Sequence, residues 1–314
     1  MTLAALRPGA QANSKRALAR VLAGLERDPD AASTQALLDE AWRRPRAHVV
    51  GITGPPGVGK SSLCAALIAG WRKAGLTVGV IAVDPSSKAS GGALLGDRVR
   101  IVTDAADEGS FVRSMAARDR LGGLADQTLA AMVVMRALFD RVLIETVGVG
   151  QSETDVAGVA DTVLFCVQPG SGDSLQFMKA GIVEIPHLIA VTKADIGAAA
   201  EKARVDVAGA LSLGGAEPRD WPLRTLAVSA RSGAGVAELM AALDAHRAHL
   251  SQAGRLAVAR HRQSEGWVRE ALRERYGTRG LARLAILGLD AALPAGGQPF
   301  ERLRELSNAL ERPR

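Results

Sequence analysis

The chain has few aromatic residues and almost no cysteine. Phe, Trp and Tyr make up 3% of its 314 residues, so the core has to be assembled from Ala, Leu, Val and Ile. Its two cysteines, Cys64 and Cys166, stand far apart in apolar runs. That count excludes a disulfide framework, fits a reducing compartment and makes core packing the default role for both. No stretch reaches the ~18 uninterrupted apolar residues of a membrane-spanning helix. No basic run is interleaved with aromatics as a single-strand nucleic-acid platform would be. Neither a membrane nor a nucleic acid is therefore expected as a partner. The net charge of +6 permits an acidic partner. The densest basic stretch, Arg255 to Arg279, also carries Glu265, Glu270 and Glu274, and reads as a solvated helix face. The first 25 residues hold Arg7, Lys15, Arg16 and Arg20 and no acid, a bias shared with organellar transit peptides. Yet Leu18, Val21, Leu22 and Leu25 recur at helical spacing, so an amphipathic helix and a cytoplasmic location are the expectation.

What the chain does have is concentrated at residues 49–63, VVGITGPPGVGKSSL. An apolar run enters Gly54, Pro55, Pro56, Gly57, Val58, Gly59, Lys60 and Ser61, and a helix-like stretch beginning with Ser62 leaves it. This is the phosphate loop G-x-x-x-x-G-K-[ST] in its strand–loop–helix setting. Glycines at 54, 57 and 59 let the backbone wrap closely round a polyphosphate. The loop N–H groups and the positive end of the following helix then face the anion. Lys60 is expected to reach the β- and γ-phosphates and the Ser61 hydroxyl to bind Mg²⁺.

Around this loop, strands and helices alternate. Strands are expected at Val49–Ile52, Thr77–Val83, Arg141–Glu145, Thr162–Val167, His187–Val191 and Leu223–Val228. Helices are expected at 60–74, 122–139, 173–183, 199–211 and 234–249, with Gly75 as a left-handed terminator of the first. Near-continuous apolar strands alternating with helices imply an α/β fold with a mostly parallel sheet covered on both faces. Residues 14–44 read as two helices split at Asp28-Pro29-Asp30. After about residue 250 the strands stop, and three helical stretches follow, broken at Tyr276-Gly277 and at 293–297. The expected division is 1–47 as an N-terminal helical extension, 48–249 as the nucleotide domain and 250–314 as a C-terminal helical arm.

Other strand ends carry candidate chemistry. Glu145 closes a buried strand three residues before Gly148, the position of a Mg²⁺-side carboxylate whose neighbouring glycine N–H senses the γ-phosphate. GTPases usually have Asp there, and the longer Glu145 suggests a bond to metal through water. Asp84 and Asp97 are further candidates for the metal or catalytic set, since Mg²⁺ takes few carboxylates and keeps its waters. The strand ending at Val191 runs into Thr192-Lys193-Ala194-Asp195. A carboxylate at Asp195 can accept both hydrogen bonds of the guanine N1–H and N2–H₂ edge, while the Lys193 stem covers the base. Adenine offers no such donor pair. Thr192 stands where Asn is usual, keeping a hydroxyl but losing the amide. Ser229 and Ala230, after the next strand, are placed to give the guanine O6 a backbone N–H. Gln151 is a candidate for placing the attacking water, and Arg98, Arg113 and Arg118 for neutralising transition-state charge; for each of them an exposed surface role is the competing reading.

On the segments GITGPPGVGKSSL (51–63), VDPSS (83–87), GGALLGDRVRI (91–101), FVRSM (111–115), LGGLA (121–125), ETVGVGQSE (145–153), QPGSGDSLQ (168–176) and TKAD (192–195), the chain resembles the MeaB/ArgK family of GTPases. These belong to the same SIMIBI class of P-loop proteins as signal-recognition and metallochaperone GTPases. The resemblance implies binding and hydrolysis of GTP with release of GDP. It further implies a homodimer that chaperones an adenosylcobalamin-dependent acyl-CoA mutase, chiefly methylmalonyl-CoA mutase, gating cofactor loading and protecting the enzyme. It also implies that the helices after 250 form the dimer arm and that 168–176 answers nucleotide state. Lys88-Ala89-Ser90 departs from the family pattern, as Thr192 does.

Two other readings share the phosphate loop. A nickel metallochaperone GTPase needs Cys or His ligands near the nucleotide-sensing loops, and here His246 and His249 read as an isolated pair on a helix. A P-loop kinase needs a site indifferent to guanine, against which TKAD argues.

Overall fold

The computed structural model describes residues 2–10, 13–85, 101, 106–117, 126–146, 148, 155–170, 184–213 and 220–312. Its centre is a sheet of seven strands: β1 (His48–Thr53), β2 (Val78–Pro85), β3 (Ser110–Ala117), β4 (Arg141–Glu145), β5 (Thr162–Val167), β6 (Leu188–Val191) and β7 (Arg224–Ala227). They lie in the order β3-β2-β4-β1-β5-β6-β7 with every pairing parallel. Six strands match the expected ones to within a residue or two. β3 was not anticipated as a strand: among the described residues it is an edge strand pairing with β2 alone, and Arg113 and Ser114 interrupt its apolar pattern.

Side-chain alternation divides β1 between the two faces, as a two-residue period dictates. Val49 joins one core with α4 (Asp126–Leu138) and the N-terminal helices α1 (Ser14–Arg27) and α2 (Ala32–Arg43). Val50 and Ile52 join the other, with α3 (Lys60–Lys73) and α6 (Val236–Ser251). Leu18, Leu22 and Leu25 are buried as the helical spacing of α1 requires. α5 (Ala198–Leu213) covers β5 and β6 through Val207. Gly75 follows α3 at φ 78°, the left-handed terminator expected there. The expected helix at 173–183 lies outside the described residues.

Beyond α6 the chain turns through Ala253 (φ 50°) and Gly254 (φ 70°) into α7 (Arg255–Ile286) and, after a loop, α8 (Pro299–Glu311). α7 breaks its helical geometry at Gly277 (φ 65°, ψ −174°), where the Tyr276-Gly277 break was expected. Leu272, Leu284 and Leu303 are buried between these helices with Leu306 and Leu310. Ile286 and Leu287 remain exposed. The arm is tied to the sheet by a buried ion pair: Arg260 donates to both carboxylate oxygens of Asp161, at 2.8 and 2.7 Å, and to the Ala47 carbonyl at 3.0 Å. Burial pushes Asp161 towards the neutral form, but the bonds and charge of Arg260 outweigh it and hold the carboxyl below its ordinary range. Phe300 of α8 meets Trp42 of α2 edge-on, and Arg304 reaches Asp39 at 2.8 Å. Arg113 is spent in the same structural way, donating to Glu26 of α1 at 2.6 Å. Among the described residues no helix is long and apolar enough to cross a membrane.

Candidate nucleotide site

All strands being parallel, their C-terminal ends share one edge. That edge carries the turn after β1, Glu145 at the end of β4, Thr192 after β6 and Ser229 after β7. β1 has β4 on one side and β5 on the other, so the chain leaves it at the point where strand order reverses, the crevice in which such sheets hold ligands.

The turn from β1 to α3 is held open by glycine. Gly54 has φ 135°, and a Cβ there would lie 2.2 Å from the Cys166 carbonyl oxygen; Gly57 and Gly59 have φ 74° and 101°. Lys60, largely buried, folds back to donate to the carbonyls of Gly54 (2.8 Å) and Pro55 (3.0 Å). Its ammonium thus lies inside the turn, over the space a polyphosphate would take. Gly148 closes on the same spot: at φ 77°, a Cβ on it would lie 1.8 Å from the Gly54 oxygen and 2.7 Å from Lys60 Nζ. Only glycine permits that approach.

Next to the loop, the Ser61 hydroxyl donates to Glu145 Oε1 at 2.6 Å. Glu145 is paired in register with Ile52 and Ala82 and is buried at the end of its strand. A hydroxyl and a carboxylate joined at the first turn of α3 are a hard-oxygen set, which fits Mg²⁺ rather than a thiophilic metal. Thr146 continues the strand end, donating to Thr53 Oγ1 at 2.9 Å. Cys64 and Cys166 are buried below, free rather than bonded. Burial, with Glu145 close by, pushes the Cys64 thiol up, and burial takes Cys166 up to about 12. Both are inert core thiols, as expected.

The second half of the site lies across β5. Thr192 is buried, and its hydroxyl faces the Val58 carbonyl of the phosphate loop at 2.6 Å and the Val167 carbonyl at 3.0 Å. Lys193, in the left-handed region at φ 56°, reaches the same loop and donates from Nζ to the Gly57 carbonyl at 3.1 Å. Asp195 is exposed, and the Ser229 hydroxyl donates to its Oδ1 at 2.6 Å, holding the carboxyl below its usual range. The backbone ties the two segments together, with Ala194 N–H donating to Val228 O at 3.0 Å. The structure therefore brings together Gly54, Lys60, Ser61, Glu145 and Gly148 on one side and Thr192, Lys193, Asp195 and Ser229 on the other. Ala230 follows Ser229 and is half-buried. Asp84 is the penultimate residue of β2, in register with Ala116. Asp97, Gln151, Arg98 and Arg118 lie outside the described residues. So do Lys88-Ala89-Ser90 and most of 168–176. Sequence reasoning missed that Thr192 ties the base-side loop to the phosphate loop.

A parallel sheet with a glycine loop at its reversal point, a buried carboxylate beside it and a Thr-Lys-x-Asp segment two strands away defines a P-loop GTPase. The comparisons with known proteins carry this to the family. Residues 17–283 match the family model described as methylmalonyl Co-A mutase-associated GTPase MeaB, and the chain belongs to that family. It is 41% identical over 254 residues to a putative GTPase of Pyrococcus abyssi, covering 80% of this chain and 78% of the relative. It is 35% identical over 263 residues to the mouse methylmalonic aciduria type A homolog, mitochondrial, covering 83% of this chain and 62% of that one. Among solved structures, one described as LAO/AO transport system kinase aligns with 99% of this chain and 96% of its own at 29% identity and TM-score 0.69.

Proposed function

We propose that this GTPase binds GTP and GDP with Mg²⁺ at the β1–α3 loop and acts as a nucleotide-gated chaperone of an adenosylcobalamin-dependent acyl-CoA mutase of the methylmalonyl-CoA mutase type. The family match over 17–283 carries the client assignment, and the mouse relative's name supports it. In this reading Gly54 to Ser62 cradle the phosphates. Lys60 leaves the Gly54 and Pro55 carbonyls to stabilise charge on the β- and γ-phosphates. Ser61 and Glu145, with Asp84 and Asp97 as further candidates, would hold Mg²⁺, which would supply positive charge to the phosphate oxygens. The Gly148 N–H reports whether a γ-phosphate is present, and Gln151 is the candidate for orienting water. Asp195, oriented by Ser229, accepts from the guanine edge, the Lys193 stem covers the ring, and the Ala230 N–H meets O6.

The same reading has 1–47, 48–249 and 250–314 as N-terminal extension, GTPase domain and arm, and a homodimer acting in the cytoplasm. Its support for a self-interface is the exposed pair Ile286 and Leu287, 81% and 48% accessible at the end of α7. The nickel alternative draws no support: among the described residues no three His, Cys, Asp or Glu side chains are grouped to hold a metal.

The test combines three measurements. GTP and GDP should bind far more tightly than ATP, and Asp195→Asn should favour xanthine nucleotides, whose 2-oxo group accepts from the new amide. A mutase of this class should be retained on the protein in a nucleotide-dependent manner and should raise GTP turnover. Equal ATP and GTP affinity would refute the base assignment. A monomer by light scattering that binds the mutase neither with GDP nor with a non-hydrolysable GTP analogue would refute the client and the dimer.

A further inference from the structure

Where β5 ends, Gln168 takes part in a bonding pattern that the phosphate-loop motif does not account for. Thr192 and Lys193, consecutive after β6, each tie together the same two neighbouring segments. Thr192 Oγ1 lies 2.6 Å from the Val58 carbonyl and 3.0 Å from the Val167 carbonyl. Lys193 Nζ donates to the Gly57 carbonyl at 3.1 Å and to Gln168 Oε1 at 2.5 Å. Two consecutive residues thus clip Gly57-Val58 of the phosphate loop to Val167-Gln168 at the end of β5. Three of these four acceptors are backbone carbonyls, which any sequence presents. The fourth is a side chain, and a substitution can remove it.

The chemistry of the contact leaves one arrangement. An ammonium donates and never accepts, so the Gln168 amide must turn its oxygen to Lys193. The backbone holds each partner in place. Lys193 sits at φ 56°, a left-handed conformation that a residue with a side chain keeps only where its surroundings impose it. Those surroundings include the bond from Thr192 N–H to Val167 O at 2.8 Å and that from Ala194 N–H to Val228 O at 3.0 Å. On the other side, Pro169 disfavours helical backbone at Gln168, and Gly170 then turns the chain at φ 76°. Lys193 itself is exposed, so without a fastening its long side chain would spread over many rotamers.

We propose that Gln168 is a positioning residue of the nucleotide site: it fixes the Lys193 ammonium against the phosphate loop, so that the lysine is ordered before a guanine nucleotide arrives. The proposal rests on the reading above, in which Lys193 covers the base. Ordering the side chain in advance removes a cost that binding would otherwise carry. It also strengthens the base side in a chain whose Thr192 lacks the usual amide. Gln168 needs no contact with the nucleotide for this, because its effect runs through Lys193.

A double-mutant cycle on the full chain, read with a fluorescent GDP analogue, tests the proposal. Gln168→Leu keeps the bulk and removes the acceptor. GDP should then bind about three- to tenfold more weakly, mainly through a faster off-rate, and KM for GTP should rise by more than kcat falls. Gln168→Glu offers a charged acceptor to the same ammonium and should bring the off-rate back to that of the parent or below it. Lys193→Met alone should weaken binding, and adding Gln168→Leu to it should change the off-rate by less than about 1.5-fold. Release of GDP by Gln168→Leu at the parent rate would overturn the proposal. So would release by Gln168→Glu as fast as by Gln168→Leu, or effects of Gln168→Leu and Lys193→Met that simply add. The same assay compares GDP with ATP on the parent protein. Equal affinities would refute the guanine reading and the proposal with it, whereas a guanine preference alongside additive effects would overturn the role of Gln168 alone.

Discussion

Thr192 offers the sharpest test of how the two halves of the nucleotide site are joined. Its hydroxyl bridges the Val58 carbonyl of the phosphate loop and the Val167 carbonyl at the end of β5, and the side chain is buried. Thr192→Val keeps the shape and removes the donor. Val167 O still receives the Thr192 backbone N–H at 2.8 Å, so the loss falls on the Val58 carbonyl. Leaving one buried acceptor unsatisfied costs about 1–3 kcal/mol. Part of this appears as lost global stability. The rest appears in binding, because a phosphate loop no longer tied to the base-side strand has to be ordered by the nucleotide itself. If about half falls on binding, GDP affinity drops by roughly 2- to 12-fold, since 1.4 kcal/mol is a factor of ten. A fluorescent GDP analogue measures this by displacement, and stopped-flow dissociation should show the change mainly in the off-rate. Thr192→Ser retains the donor and should stay close to the parent, while Thr192→Asn, with an amide in place of the hydroxyl, should recover most of the loss. Should Thr192→Val release GDP at the parent rate with unchanged stability, the hydroxyl is not a tether and the argument fails.

Three further outcomes follow from packing and charge. Gly148→Ala forces a Cβ to within 1.8 Å of the Gly54 oxygen and 2.7 Å of Lys60 Nζ; single-turnover GTP hydrolysis should collapse while GDP still binds, and hydrolysis at the parent rate would refute the close approach. Arg260→Ala strips the partner from a carboxylate whose side chain is 2% accessible, a loss of about 3–5 kcal/mol in urea unfolding, and a loss below about 1 kcal/mol would show that the arm is not anchored there. In acid, His48 and His246 resist protonation down to about 3, whereas unfolded histidine titrates near 6.5. The unfolded chain therefore binds more protons between these values, so stability should fall as pH drops below 6.5, with a slope approaching about 2.7 kcal/mol per unit for two such groups. Asp161, with its depressed carboxyl pKa, adds a further loss below the ordinary carboxylate range. Flat stability from pH 7 to 4.5 would contradict the burial of both rings.

What the sequence made legible is what local pattern encodes. The phosphate loop is a contiguous string whose glycine positions, Lys60 and Ser61 have backbone reasons to be where they are. Five of the seven strands are short apolar runs whose extent needed no distant information, and Gly277 breaks its helix because its backbone takes a positive φ. β7 was recognised too, though its residues are only partly buried. β3 was missed because an edge strand paired with β2 alone needs no continuous apolar run, and Arg113, which blurs its pattern, is there to reach Glu26. The helices after 250 were expected from pattern, but pattern cannot say what covers their leucines; the chain buries Leu272, Leu284, Leu303, Leu306 and Leu310 itself.

The contacts that join His48, Thr162, His187 and His246 and the Thr192 tether failed to register for a deeper reason. His48, Thr162, His187 and His246 are spread along the chain; the first three are unremarked polar residues at the start of a strand, and His246 was read only with His249, as an isolated pair on a helix. A parallel sheet starts every strand at one edge and finishes every strand at the other. One topology therefore assembles two separate groups: Gly54, Glu145, Thr192 and Ser229 where the strands end, and His48, Thr162 and His187 where they begin. The first group could be read in advance because phosphate binding imposes a contiguous motif on it. The second carries no such string. Its rings are joined through Thr162 and Val163 at the head of β5, a grouping that could be inferred only once strand order was known.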